Sequence, residues 1–227
     1  MNLSRRATEP ELLDEGVPEQ EALRSLGDLR FVNRWLGGQR SILAAALPHF
    51  AGSPRPRLLD VGCGSADLPA LLVRYARTKP LAVGVDLKLL HVQQAPPGIE
   101  RVVADVRALP FSPGSFDVVT ASLFLHHFDA PEVARVLRSL WSLTRRALVV
   151  NDLRRARVPY LFGRATFRFL FRSRVSVEDG LLSIRRAFTP AELRAAFAEA
   201  GIPEARIRRR FPYRIVAVAE RREGWRP

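Results

Sequence analysis

One stretch, LLDVGCGSADLP at residues 58–69, constrains the fold of this chain more than any other. Leu58 and Leu59 begin a short apolar run that closes on Asp60 and Val61, and Gly62 and Gly64 then turn the backbone directly into a segment of helical spacing. Glycines at such a turn let the backbone pass close to a ligand, since they carry no Cβ and tolerate positive φ. In an open α/β sheet this turn stands at the carboxyl end of the first strand, where free N–H groups of the helix start face the binding crevice.

The rest of the chain repeats the theme. Short apolar runs predict strands over 57–61, 81–86, 100–104, 116–122 and 147–152, with helices between them, including 66–77 and 131–143. Alternation of this kind implies a mostly parallel sheet covered by helices on both faces. Before it, Leu23, Leu26, Phe31, Trp35 and Leu36 recur at three-to-four-residue spacing, so the chain up to about Leu47 reads as helical and stops at Pro48. Thr189, Pro190 and Glu192 open a late helix with a capping residue, a proline and an acid, and it ends near Gly201. The tail, 205–210 and 213–220, reads as a closing pair of strands.

Charge and cysteine content narrow the function classes. Lys+Arg 36 against Asp+Glu 23 gives +13, but the arginines are scattered, as on a solvated surface, and nucleic acid is not the expected partner. Arg206, Arg208 and Arg210 alternate on one strand face; with Arg209, Arg221 and Arg222 they read as an exposed basic edge. No apolar run reaches the roughly 18 residues of a membrane-spanning helix, and the start lacks the apolar core of a secretory signal, so a cytoplasmic protein is expected. The single cysteine, Cys63, rules out an intrachain disulfide and a thiolate metal cluster.

Which nucleotide the turn takes depends on its charges. Asp67 occupies the place where a dinucleotide fingerprint needs its third glycine or alanine, so a pyrophosphate would meet a carboxylate, which argues against a nicotinamide oxidoreductase. Asp60 adds a second negative charge, favourable beside an ammonium or a sulfonium.

With these residues LLDVGCGSADLP resembles the first motif of the class I S-adenosylmethionine-dependent methyltransferases. Further matches follow in order. AVGVDL places Asp86, followed by Leu87, like the acid that bridges the ribose hydroxyls. ADVRALPF places Asp105 and Val106 like the adenine contacts. SFDVVTASLFLHHF, with Ser122 and Leu123 at the strand end, resembles the branch that includes the ubiquinone/menaquinone-biosynthesis enzymes. Ala66 stands where that family often has a third glycine, which would set the helix start slightly further from the cofactor.

The resemblance implies a Rossmann-like, doubly wound, mostly parallel seven-stranded sheet with an antiparallel C-terminal strand. Residues 1–50 would be an N-terminal helical segment over the active site, and 51–227 an S-adenosylmethionine-binding domain with 153–187 as acceptor-binding insertion. Asp60, Gly62, Cys63, Gly64, Asp67, Asp86, Leu87, Asp105, Val106, Ser122 and Leu123 would hold the cofactor. His126 resembles the general base of small-molecule O-methyltransferases, and Asp152 is the second candidate.

Trp35, His127, Asn151, Tyr160, Phe167 and Phe171 are expected against the acceptor. The aromatic, arginine-edged segment 157–174 suggests an aromatic or lipophilic acceptor, with weak membrane-surface contact as a second reading. Adjacent side chains rarely point together, His49 and His91 lie elsewhere, and no carboxylate spacing completes a site, so no metal is expected. O-methylation of a small secondary metabolite is favoured, with C- or N-methylation next. An RNA methyltransferase is the alternative, but ASLFLHH stands where its Asn/Asp-Pro-Pro-aromatic motif belongs. Oligomeric state is left open.

Overall fold

The strands separate two apolar cores by simple alternation. In β1 (Arg57–Val61), Leu58 packs with Ile42, Phe50, Leu72 and Val118, while Leu59 and Val61 face the opposite side with Val119, Leu137, Leu140 and Phe197. A strand buried on both faces needs helices on both sides, and the chain supplies them. The computed structural model describes residues 3–221; Arg222 of the expected basic edge lies outside the described residues.

The elements are α1 (Leu12–Glu15), α2 (Glu19–Trp35), α3 (Gly38–Ala46), β1, α4 (Asp67–Tyr75), β2 (Leu81–Asp86), α5 (Leu89–Gln93), β3 (Ile99–Val103), β4 (Phe116–Ser122), α6 (Ala130–Leu143), β5 (Thr144–Leu153), α7 (Arg157–Leu170), α8 (Arg174–Arg186), α9 (Pro190–Glu199), β6 (Arg206–Arg210) and β7 (Arg214–Glu220). They form one sheet of order β3-β2-β1-β4-β5-β7-β6, in which β7 runs antiparallel to both of its neighbours and the other pairs are parallel. The order reverses between β1 and β4. Their carboxyl ends therefore flank the crevice where open α/β sheets bind ligands.

Local chemistry explains several boundaries. α9 opens with a capping box, in which Thr189 Oγ1 accepts from Glu192 N and the Glu192 carboxylate accepts from Thr189 N. Glu192 also pairs with the buried Arg155, tying the end of β5 to α9. The expected helix over 66–77 starts one residue later, because Ala66 takes a left-handed φ of 55° and ends the turn instead of beginning the helix. β5 begins at Thr144, three residues ahead of its expected start, since it pairs with Phe116 before a register shift in β4.

A cover of α1, α2, α7 and α8 sits over the carboxyl end of the sheet, joined by side-chain-to-backbone bonds. Asp28 of α2 accepts from Arg172 N and Ser173 N at the start of α8, which satisfies helix-terminal donors. Asp179 of α8 accepts from Leu12 N and Leu13 N at 2.8 and 2.9 Å, fixing α1. Phe167 closes the α7–α8 contact over Gly163 and Gly180, where an added Cβ would stand 2.8 and 3.0 Å from its ring. No described helix is long and apolar enough to cross a membrane.

Candidate active site

The turn after β1 builds the end of the crevice at which a cofactor is expected. Gly62 and Gly64 have φ of 65° and 53°, and a Cβ on Gly62 would fall 2.2 Å from the Phe124 ring. Ala66, Leu123 and Tyr213 are the non-glycine residues at positive φ among the described residues; Leu123 and Tyr213 line this crevice, and Ala66 is buried between Ser65 and Asp67, which line it. Left-handed backbone costs an ordinary residue about 1–2 kcal/mol, a strain that gathers at functional sites. Alanine at position 66 thus takes the left-handed conformation that a glycine would supply freely.

Three carboxylates surround the turn. Asp60 is buried and accepts from Thr120 Oγ1; burial, and then the neighbouring Asp67 and Asp86, push its carboxyl up to about 7. Burial likewise raises Asp67, whose Oδ2 accepts from Asn33 Nδ2 at 3.4 Å. Asp86 accepts from Gly64 N at 2.9 Å and Lys88 N at 3.0 Å; although burial opposes it, His91 and these donors hold its carboxyl below the usual range. Clustered, desolvated carboxylates repel pyrophosphate and attract a cation, so the donor set fits the ammonium and sulfonium of S-adenosylmethionine.

From the turn a cavity of about 420 Å³ extends under the cover. Of the residues expected at the cofactor, Asp60, Gly62, Cys63, Gly64, Asp67, Ser122 and Leu123 line it; of those expected at the acceptor, His127, Phe167 and Phe171 do, and so does His126. Asp86 stands behind Gly64, and Leu87 beside it is exposed. Cys63 is buried beneath Gly84, and burial pushes its thiol up, so it is inert packing. Asp105 caps the turn after β3 and pairs with Arg107, while Val106 is in the core. Asn151 is fully buried and donates to Ser122 Oγ at 2.8 Å, holding the end of β4 rather than lining the cavity. Trp35 is 64% exposed, and Trp35 and Tyr160 are both outside the lining.

The histidines depart from expectation. Their rings stack at 4.5 Å with 29° between planes, so adjacent side chains do point together. His126 Nδ1 lies 2.7 Å from Asp152 Oδ1, and its Nε2 lies 3.5 Å from Glu11 Oε1. Burial works against a charged ring, but Asp152 and Glu11 outweigh it and raise the His126 pKa well above the ordinary imidazole value. The isolated group is a cation at neutral pH. A base role, which requires a neutral ring, does not follow from this arrangement.

Some lining residues carried no motif. Glu11 stands just ahead of α1, Asp28 and Asn33 are on α2, and Asp179 and Ser183 on α8. Arg214, at the start of β7, is 1% exposed, donates from Nε to Leu36 O, and has no hydrogen-bond partner for either terminal nitrogen. Burial, opposed by Asp152, lowers its pKa to about 10, which leaves it charged at neutral pH. A buried, unpaired guanidinium in a cavity wall calls for an anionic ligand atom.

The sheet order and the glycine turn at the switch point define a Rossmann-like fold with a ligand crevice lined by carboxylates that favour a cation. Comparison with known proteins agrees: residues 59–147 match the family model described as a methyltransferase domain. The demethylmenaquinone methyltransferase of Roseiflexus castenholzii is 34% identical over 116 residues, 48% of this chain and 45% of that one. The 27-O-demethylrifamycin SV methyltransferase of Amycolatopsis mediterranei is 36% identical over 110 residues, 42% of this chain and 39% of that one. Among solved structures, magnesium protoporphyrin IX methyltransferase from Synechocystis with bound SAH superposes with a TM-score of 0.59 at 20% identity, covering 86% of each chain. The chain spans about half the length of the curated relatives it matches. The matched stretch, residues 59–147, is thus similar to a methyltransferase domain, and the fold is that of the Rossmann-like methyltransferases.

Proposed function

We propose that this protein transfers the sulfonium methyl of S-adenosylmethionine to an oxygen of a small, lipophilic or aromatic metabolite. The observation that carries the reading is one cavity with two unlike ends: a carboxylate-rich glycine turn, and an apolar chamber walled by Phe162, Phe167, Phe171, Val158 and Ile184. Val158, Phe162 and Phe211 line the cavity and are also exposed, which makes its mouth apolar and suits entry of a lipophilic molecule. Arg214 then supplies a buried positive charge with free donors that orients an acidic acceptor oxygen. Relatives named for demethylmenaquinone and rifamycin methylation favour the same acceptor class.

In this reading Asp60 and Asp67 face the ammonium and sulfonium, Asp86 takes the ribose, and Leu87, Asp105 and Val106 flank the adenine. Phe171, Phe162 and Arg214 hold the acceptor. The chemistry is direct displacement, with most of the rate coming from an in-line arrangement of acceptor oxygen, methyl carbon and sulfur; such positioning reaches effective molarities on the order of 10⁵ M or more. The cytoplasm is its expected location.

The test is incubation with methyl-labelled S-adenosylmethionine and fractionated cell extract, followed by mass identification of the labelled product. Label on a lipophilic phenol or enol supports the proposal. Label only on RNA or protein overturns it.

A further inference from the structure

Glu11 precedes α1 and the His126–His127 turn follows β4, yet their donor atoms converge on one point of the cavity wall. His126 Nε2 lies 3.5 Å from Glu11 Oε1, and His127 Nε2 lies 3.9 Å from Glu11 Oε2. One ligating atom from each of the three residues lies within 4.8 Å of the others. The two Nε2 separations exceed normal hydrogen-bond length. Ligands held at about 2.0–2.2 Å from a common ion stand about 3–4 Å apart; the 3.5 and 3.9 Å separations to the two Glu11 oxygens fall in that range, and drawing one atom of each residue from within 4.8 Å onto an ion needs only a small inward shift.

The other ring nitrogens are engaged at short range. His126 Nδ1 is 2.7 Å from Asp152 Oδ1 and His127 Nδ1 is 2.6 Å from Asp14 Oδ2. Each imidazole therefore gives Nδ1–H to its own carboxylate and presents Nε2 to the shared point, the outer arrangement that orients metal-binding histidines. Glu11 Oε1 is fixed by Ser183 Oγ at 2.8 Å. Arg186 donates to the carbonyls of His126 and His127, and Arg6 to those of His126 and Phe128, so the turn is clamped from two sides. A latch that only held the N-terminal segment would need none of this convergence, since Asp179 already binds Leu12 and Leu13.

We propose that Glu11, His126 and His127 bind one divalent transition-metal ion on the wall of the acceptor cavity. Two imidazoles and one carboxylate suit zinc, cobalt, iron or manganese, and the ion replaces the protons that otherwise hold these groups together. Three protein ligands leave positions open towards the cavity, where an acceptor hydroxyl can coordinate. Coordination favours loss of the hydroxyl proton to water; the oxygen lone pair then forms the C–O bond as the methyl–sulfur bond breaks and its electrons return to sulfur. This role in activating the acceptor rests on the methyltransferase reading, whereas the ion site itself does not.

The test uses the untagged full chain, stripped with chelator and titrated with Co(II), whose visible absorption reports coordination by protein. One equivalent should bind with a ligand-field spectrum distinct from the aquo ion, and Zn(II) should displace it. Glu11→Gln and His127→Ala should each weaken binding at least about 100-fold. Asp14→Asn keeps all three ligands and should weaken binding about 10- to 100-fold, which decides the matter if the ligand variants fail to fold. A wild-type spectrum identical to aquo cobalt, or an unchanged affinity in Asp14→Asn and in a folded Glu11→Gln, overturns the site. SAH affinity is measured in parallel by calorimetry. SAH binding without metal binding removes this inference and leaves the methyltransferase reading; metal binding without SAH binding does the reverse.

Discussion

The two ends of the cavity are built by opposite means. The carboxylate-rich end, proposed for the cofactor, comes mainly from a continuous stretch, residues 60–67, with Asp86 reaching it from the neighbouring strand, so short-range chain geometry sets most of its shape. The acceptor end draws on α1, α2, the turn after β4, α7, α8 and the start of β7, held together by ion pairs and buried hydrogen bonds between distant segments. His127 and Asp14, for example, are 113 residues apart in sequence. A local end keeps its shape when the cover is altered. An assembled end can change its ligand by changing a few side chains, and its failures should show up in acceptor kinetics while cofactor affinity holds.

The largest effect expected is at the local end. Gly62→Val places a branched side chain at a φ of 65° and against the Phe124 ring, so SAH affinity should fall more than about 100-fold by calorimetry. Arg214→Gln removes the buried charge at the assembled end: the acceptor KM should rise about 10- to 100-fold, as for loss of charged hydrogen bonds, with SAH affinity retained. If SAH affinity falls equally, Arg214 supports the whole crevice and the division between ends breaks.

Asp86→Ala should weaken SAH binding about tenfold, through loss of charged hydrogen bonds and of the anchor on Gly64 N. Smallest is a pH effect. Because the Asp60 carboxyl is raised to about 7, it ionises as pH rises, and a cationic ligand binds the ionised form better; S-adenosylmethionine affinity should therefore increase a few-fold between about pH 6 and pH 8. SAH, which lacks the sulfonium charge, should show a weaker trend.

This contrast also explains what could be read in the sequence. Strands and helices of the sheet follow from period and glycine placement, and the expectation of a cationic cofactor from Asp60 and Asp67 beside the turn, together with the resemblance of the later motifs. The roles of Glu11, Asp14, Asp179 and Arg214 left no local trace: each acts on a segment far away, and an acid in ATEPELLDEG looks like any solvated charge. The histidine pair was visible, but the protonation of His126 was not, because it depends on Glu11, just ahead of α1, and Asp152 of β5. Phe167 shows the same limit. Its aromatic character suggests an acceptor contact, yet its ring seals Gly163 against Gly180, so its loss should cost about 3–5 kcal/mol of stability and Phe171 is the cleaner probe of the cavity.

That probe gives the most direct measurement: calorimetric titration of SAH into the wild-type protein and into Phe171→Ala, with NADH as the competing ligand. The account predicts one SAH site per chain, affinities that agree within about twofold between the two proteins, no binding of NADH, and a raised acceptor KM in the variant alone. NADH binding in place of SAH, or SAH affinity that collapses in Phe171→Ala, would contradict it.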